Sequence, residues 1–244
     1  MSSLQKNGSI ASGDLDVSVV MPCLNEARTL PGCIQECFAV FKTYNLLGEV
    51  IIADNGSTDG CPKIASELGA TVVAVQKRGY GAALCAGFAQ AKSDIILMGD
   101  SDGSYDFQSI PHFLEAIDQG YDLVVGDRFQ GTMESNAMPL LNRYLGNPAL
   151  SFLGRVLYRS DVRDFHCGIR AFRREQIAAL KLKQPGMEFA SEMIVMASLA
   201  KLRIGQIPAY FRKDGRNRPP HLRPWRDGWR HLSFLFRQRL RRHA

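Results

Sequence analysis

At 244 residues the chain is long enough for a real core, and its 45% hydrophobic and 22% charged residues exclude both a disordered chain and a membrane-embedded one. The net charge of +6 is very uneven: from Arg212 onward eleven Lys/Arg face two Asp, giving +9, so the preceding 211 residues carry −3. A nearly neutral body with a strongly basic end points to an anionic partner such as a membrane or a polyphosphate.

Residues 1–15 are polar and small, lack the apolar core of a signal peptide, and are expected to form a disordered tail. Residues 16–21 read as a first buried strand that Pro22 ends, with a polar turn over 22–26 and a helix over 27–44. A second strand, 49–53, runs into Asp54-Asn55-Gly56-Ser57-Thr58-Asp59-Gly60, which is turn chemistry throughout. A short helix over 61–69 precedes a third strand over 71–75. That strand leads into Gln76-Lys77-Arg78-Gly79-Tyr80-Gly81 and a small-residue helix over 82–91. The fourth strand, 94–98, delivers Gly99-Asp100-Ser101-Asp102-Gly103. A helix over 107–119 and a fifth strand over 121–125 follow.

Strands alternating with helices predict a parallel sheet covered on both faces. Each strand-to-helix loop then opens on one sheet edge, where ligands bind in open α/β folds. One crevice should therefore collect Asn25, Asp54, Lys77, Arg78, Asp100 and Asp102. Two carboxylates one residue apart repel, so a cation belongs between them; Mg²⁺ commonly takes one or two carboxylates plus substrate phosphates. An isolated D-x-D is usually a solvated acidic turn. Its place at the end of a buried strand distinguishes this one.

The second half is less regular. Gly126-Asp127-Arg128-Phe129 leaves the fifth strand, and 130–141 read as a loop. Asn147-Pro148 reads as an N-cap followed by proline at the first helical position. The helix behind it carries a stripe of Ala149, Phe152, Leu153, Val156 and Leu157. Residues 164–172 show no clear period, and a helix over 187–200 and a strand over 204–211 follow. If helical, the basic, aromatic stretch over 225–242 puts Trp229, Leu232, Phe236 and Leu240 on one face. Arg226, Arg230, Arg237 and Arg241 lie about 100° away, while Phe234 and Arg239 break the separation. This is an imperfect amphipathic helix suited to an anionic membrane surface.

No run of 18 apolar residues predicts a transmembrane segment. Six cysteines without a C-x-x-C pair read as reduced thiols of a cytoplasmic protein. The expected location is peripheral, on the cytoplasmic face of a membrane.

The motifs V-V-M-P-C-L-N-E, A-D-N-G-S-T-D-G, Q-K-R-G-Y-G, G-D-S-D-G-S-Y-D-F, G-D-R-F, D-F-H-C-G-I-R-A-F and R-P-W-R-D-G-W-R-H-L occur in this order. Over residues 16–235 the chain resembles the inverting family-2 glycosyltransferases of GT-A fold. It most resembles the polyprenyl-phosphate (dolichol-phosphate) mannosyl- and glucosyltransferase group. The resemblance implies an α/β domain over 16–218, with a Rossmann-like, mostly parallel sheet and helices on both faces. A basic amphipathic segment over 219–244 would follow. The implied reaction is metal-dependent sugar transfer, with inversion, from a UDP- or GDP-sugar to dolichyl or undecaprenyl phosphate.

Residue by residue, the resemblance puts Pro22, Asn25 and Glu26 in the nucleotide pocket. Asp54 would bond the base, with Gly56 and Ser57 shaping its turn. Lys77, Arg78 and Gly79 would sit near the base and diphosphate. Asp100 and Asp102, flanking Ser101, would hold Mg²⁺ or Mn²⁺ on the donor diphosphate. Arg128, Arg170, Arg212, Lys213, Arg216 and Arg218 become candidates for donor or acceptor phosphates. Many relatives place Gly-x-Ser-Lys where this chain has Asp214-Gly215-Arg216-Asn217-Arg218. The expected catalytic set is Asp100, Asp102, Arg128, Asp164 and Arg170.

A phosphomonoester with a second pKa near ~6 is largely dianionic at neutral pH and attacks without a general base. An alcohol needs a base, and Asp164 and Glu192 are the first carboxylates to consider. A soluble family-2 enzyme acting on a small-molecule or saccharide hydroxyl is thus the alternative. No nucleic-acid partner is expected.

Overall fold

A computed structural model of the chain describes residues 15–216 and 224–240. Most of the expected N-terminal tail, together with Arg218 and Arg241, lies outside the described residues. The first half alternates strand and helix: β1 (Val17–Cys23), α1 (Leu30–Tyr44), β2 (Gly48–Asp54), α2 (Cys61–Glu67), β3 (Thr71–Ala74), α3 (Tyr80–Gln90) and β4 (Ile95–Met98). The second half comprises α4 (Ile110–Asp118), β5 (Leu123–Asp127), α5 (Asn147–Tyr158), β6 (Arg170–Arg173), α6 (Arg174–Ala179), α7 (Phe189–Leu199), β7 (Ile204–Pro208) and α8 (Pro224–Leu240).

The strands form one sheet in the order β3-β2-β1-β4-β6-β5-β7. All neighbours are parallel except at β6, which runs antiparallel between β4 and β5. β1 is largely apolar and buried along almost its whole length, as a central strand covered on both faces should be. α1 opens with a proline in its first turn and buries Leu30, Ile34, Cys37 and Phe41, a helical stripe. It stops at Asn45, whose φ of 51° is a left-handed conformation that asparagine tolerates.

Phe88 of α3 meets Phe172 of β6 edge-on and also lies against Phe189 of α7. The next residue of β6, Arg173, donates to the Ile117 carbonyl of α4. Neighbouring strand residues point to opposite faces, so α3 and α4 cover opposite sides of the sheet. The close seat of α3 requires a glycine: a Cβ on Gly87 would stand 2.4 Å from Val20 Cγ1.

The structure differs from the expectations at several points: β1 runs through Pro22 to Cys23, and α1 begins at Leu30. Residues 170–173 form a strand, although no alternation marks them. β7 ends at Pro208, and Phe211 instead makes isolated bridges to Tyr105 and Met133, which fold the chain over the sheet edge. A π-type turn over Asn142–Gly146 runs directly into α5, so Asn147 has helical angles (φ −66°, ψ −45°) and is no cap.

Candidate active site

The loops after β1, β2 and β3 are sewn together by short polar side chains. Asn25, at a left-handed φ of 57°, accepts the Thr58 N–H at 2.7 Å through Oδ1. Its own N–H donates to Ser57 Oγ at 2.8 Å. Asp54 accepts the Gly56 and Ser57 N–H groups within its own turn, each with a contact of 3.2 Å. Asn55 extends the seam: its amide donates to the Lys77 carbonyl at 2.9 Å and its Oδ1 accepts the Gly79 N–H at 2.7 Å. The Arg78 guanidinium lies over Gly56, within 3.3 Å of where a Cβ would be. Lys77 and Arg78 are exposed at this rim.

The acidic turn follows β4. Ser101 is buried and donates its hydroxyl to the Pro22 carbonyl at 2.8 Å, so it locks the turn to the β1 loop and faces away from a ligand. Gly103, at φ 80°, supplies the left-handed residue that closes the turn. Asp102 Oδ1 accepts the Ser104 N–H at 3.0 Å. Asp100 Oδ1 is buried without a hydrogen-bond partner among the described residues. Burial, and after it the Asp102 charge, pushes the Asp100 carboxyl up to about 7, against the Tyr80 hydrogen bond and the Arg216 and Arg128 charges. A Cβ on Gly168 would stand 2.7 Å from Asp100 Oδ2, so the chain before β6 passes directly beneath this carboxylate.

An orphaned carboxylate oxygen beside a second carboxylate suits a hard divalent cation. Among the described residues no three His, Cys, Asp or Glu side chains converge as a complete metal site. Asp100 and Asp102 would thus share Mg²⁺ or Mn²⁺ with substrate oxygens, the usual arrangement for Mg²⁺.

Three expected site residues have other tasks. Arg128 and Asp164 bind each other through two short contacts of 2.7 and 2.8 Å. The Arg128 guanidinium also sits 5.1 Å from the centre of the Phe211 ring. Arg170 is fully buried and donates to the carbonyls of Cys167, Ala190 and Phe165 at 2.9, 2.9 and 2.7 Å. It braces the floor of the site and offers no fork to a phosphate. Asp164, saturated by Arg128, is no general base. Glu192 is equally engaged, accepting the Lys183 and Gln184 N–H groups.

After Phe211 the chain crosses the site mouth as a strap over residues 212–216. Arg212 pairs with Glu36 and Asp106 at 2.8 and 2.6 Å. The Lys213 N–H donates to Glu134 at 2.9 Å. Arg216 pairs with Asp102 at 2.9 Å and with Glu26 at 3.3 Å.

A family described as glycosyl transferase family 2 matches residues 18–180. The chain belongs to that family. This glycosyltransferase is 38% identical over 232 residues to the low-salt glycan biosynthesis hexosyltransferase Agl6 of Haloferax volcanii. The match covers 93% of the chain but 55% of that relative, so the chain spans about half its length. It is 30% identical over 198 residues to a dolichyl-phosphate hexose transferase of the same organism, covering 81% of the chain and 83% of the relative. Among solved structures it is similar to glucosyl-3-phosphoglycerate synthase from Mycobacterium tuberculosis in complex with Mn²⁺, UDP-glucose and phosphoglyceric acid. There the TM-score is 0.69 at 22% identity, over 92% of this chain and 80% of that one. Mannosyl-3-phosphoglycerate synthase from Rubrobacter xylanophilus gives a TM-score of 0.73 at 20% identity, over 94% and 75% of the two chains. At such identity these two show the shared GT-A fold.

The structure brings two further residues, Asn55 and Tyr80, to the candidate site that the sequence did not single out. Asn55 was hidden inside a run in which every residue is a turn former. Tyr80 follows the Lys-Arg-Gly motif and lies against Asp100, but a lone tyrosine at a helix start carries no signal by itself.

Proposed function

We propose that this glycosyltransferase moves a hexose from a UDP- or GDP-sugar to a polyprenyl phosphate at a membrane surface, with inversion. One observation carries the choice of acceptor: both carboxylates first in line to deprotonate an alcohol, Asp164 and Glu192, are spent on internal partners. An acceptor that brings its own negative charge needs neither. The dolichyl-phosphate hexose transferase among the relatives supports the same choice.

In this reading the nucleotide lies across the Asp54–Ser57 and Lys77–Gly79 turns, with its diphosphate toward Asp100 and Asp102. Asp54 keeps lone pairs for a nucleobase N–H, because its turn contacts use only part of its acceptor capacity. The clamp through Asn55 holds the two turns at a fixed separation. Lys77 and Arg78 add positive charge beside the diphosphate. A bound Mg²⁺ or Mn²⁺ would neutralise charge developing on the departing diphosphate. The acceptor phosphate attacks from the opposite side, which inverts the anomeric centre.

The lipid end of the acceptor has a surface to meet. Leu141, Tyr144, Leu145, Phe152 and Val156 are exposed along α5 and the turn before it. Trp229, Phe236 and Leu240 are exposed on α8. The two helices are joined by the Tyr158 hydroxyl, which donates to the Leu235 carbonyl at 2.5 Å. A cleft of about 330 Å³ between them is lined by Val156, Leu157, Tyr158, Arg159 and Arg239. Apolar side chains edged by arginines match an anionic leaflet, where each basic residue adds ~1 kcal/mol. No helix of the described residues is long and apolar enough to cross a membrane.

The test takes the purified chain through a thermal-shift screen with UDP-glucose, UDP-GlcNAc and GDP-mannose plus Mn²⁺, then offers the stabilising donor dolichyl or undecaprenyl phosphate. Lipid-linked sugar is expected. Transfer to a soluble hydroxyl acceptor with none to the polyprenyl phosphate would replace this acceptor with the saccharide alternative.

A further inference from the structure

Asp102 uses its two carboxylate oxygens differently. Oδ1 accepts the Ser104 N–H inside its own turn, while Oδ2 is bonded by the Arg216 guanidinium at 2.9 Å. The same guanidinium reaches Glu26 Oε1 and Asp214 Oδ2, both at 3.3 Å, and its side chain is only 12% exposed. The Gly215 N–H donates to the Asp102 carbonyl at 2.9 Å. A Cβ on Gly215 would come within 2.7 Å of Thr29 Cγ2, so the strap backbone lies flat against the acidic turn and the start of α1. Three carboxylates therefore surround one side-chain cation beside Asp100, whose Oδ1 is the orphaned one.

We propose that Arg216 is a built-in counter-cation for Asp102, which a divalent metal displaces from Oδ2, freeing the guanidinium for substrate phosphate. This rests on Asp100 and Asp102 holding the metal and goes further, because it makes the strap metal-gated. The outward oxygen of Asp102 is the one a metal needs, and it is the one Arg216 holds. Two cations drawn to one oxygen repel each other, and a divalent ion brings twice the charge of a guanidinium. Until metal arrives, Arg216 neutralises carboxylates that would otherwise repel.

The strap is held at two separate places. Its base is pinned separately, by Arg212 on Glu36 and Asp106 and by the Lys213 N–H on Glu134. Its tip is tied to the acidic turn through the Gly215 N–H and the Arg216 fork. Once released, a planar guanidinium at the mouth suits the bidentate recognition of phosphate oxygens. Metal binding and phosphate capture thus become successive uses of one side chain.

The experiment measures Mn²⁺ binding to the full chain without nucleotide, from the electron paramagnetic resonance signal of free Mn²⁺. Arg216→Gln is expected to bind Mn²⁺ about tenfold more tightly than the wild type, because the competing cation is gone. Arg216→Lys, which keeps the charge and loses the fork, should fall between them. With UDP added the order should reverse, Arg216→Gln holding Mn²⁺ and UDP more weakly than the wild type. Equal Mn²⁺ affinity in wild type and Arg216→Gln overturns the displacement while leaving the metal site intact. Arg216→Lys matching the wild type in both conditions overturns the role of the guanidinium fork and leaves the displacement to charge alone. Failure of the order to reverse with UDP overturns the hand-over to phosphate. If neither the wild type nor Arg216→Gln binds Mn²⁺, the metal role of Asp100 and Asp102 is itself wrong.

Discussion

Arg128 and Asp164 grip each other as a fork, Nε to Oδ2 at 2.7 Å and Nη2 to Oδ1 at 2.8 Å, with Asp164 fully buried and Arg128 6% exposed. The Arg128 N–H also donates to Asp164 Oδ2, at 3.3 Å. The pair ties the loop after β5 to the loop before β6. Breaking a buried pair from one side strands the other charge, which typically costs about 3–5 kcal/mol. Asp164→Ala should therefore lose about that much stability in urea denaturation. The double variant Arg128→Met/Asp164→Leu should recover most of it. An Asp164→Ala protein that keeps its stability and loses only transfer would return Asp164 to the role of base.

Asn55 offers a cleaner probe of the donor side, because it clamps two turns without occupying the pocket. Asn55→Ala removes the bonds to the Lys77 carbonyl and the Gly79 N–H. The expected cost is about 1–3 kcal/mol, shared between stability and UDP affinity, with UDP binding weakened up to roughly tenfold. Isothermal titration with UDP and Mn²⁺ checks it. Unchanged affinity would mean that the Lys77–Gly79 turn does not contact the nucleotide.

The fold was legible where burial writes itself into the sequence. β1, β2, β4 and β5 are built around short apolar runs, and the loops behind them announce themselves by turn formers and charge. β6 was not legible because Arg170 sits at its start. Its burial is compensated by three carbonyls, two of them just upstream of its own strand and one on α7, which no local pattern encodes. For the same reason the arginines of the site were visible as charges but not as roles: Arg128, Arg170 and Arg216 differ in the partners that the fold brings to them. The last helix was half legible. Its exposed face was in the pattern, but Phe234, which breaks that face, belongs with Leu235 to a second face packed on the domain.

That inner face carries a pH dependence. Ser191 Oγ lies 2.8 Å from His231 Nδ1 and 3.4 Å from His166 Nε2, and the two rings meet edge-on with centroids 4.5 Å apart. Burial pushes His231 down to about 4; Glu188 and Asp227 pull it up, and Arg170 and Arg230 push it further down. Burial lowers His166 as well, joined by the charges of His231, Arg128 and Arg170. The folded protein thus favours neutral rings, and between the two pKa values the unfolded chain binds more protons. The stabilisation is full above about 6.5 and is lost as pH falls toward 4, about 3 kcal/mol from His231 once both states are protonated. Thermal midpoints from pH 7.5 to 4.5 should fall accordingly, less steeply in His231→Gln. An identical slope in that variant would place the acid sensitivity elsewhere.

The outward face of α8 makes a separate prediction. Trp229 and Phe236 are 69% and 48% exposed, so Trp229→Ser/Phe236→Ser should leave the thermal midpoint nearly unchanged. Flotation with vesicles containing anionic lipid should nevertheless fall several-fold, and added salt should weaken what remains. Wild-type protein that never floats would remove the membrane surface from the proposed function.

β6 has a consequence for the dimensions of the cleft. It is inserted between β4, which carries the acidic turn, and β5, which carries Arg128. Adjacent strands stand about 4.8 Å apart, so those two loops leave the sheet roughly 10 Å from one another. Because β6 runs the other way, the gap is crossed by chain arriving at the edge instead of leaving it, and Cys167 and Gly168 form a sill of backbone across it. The span between the two walls is therefore a property of the sheet ladder, common to any sugar the enzyme handles. The depth is set by the sill, where the Gly168 N–H donates to the Tyr105 hydroxyl at 2.6 Å and a side chain larger than hydrogen would press on Asp100. Choice among sugars by size then falls to residues that change the depth of the cleft and leave its width alone.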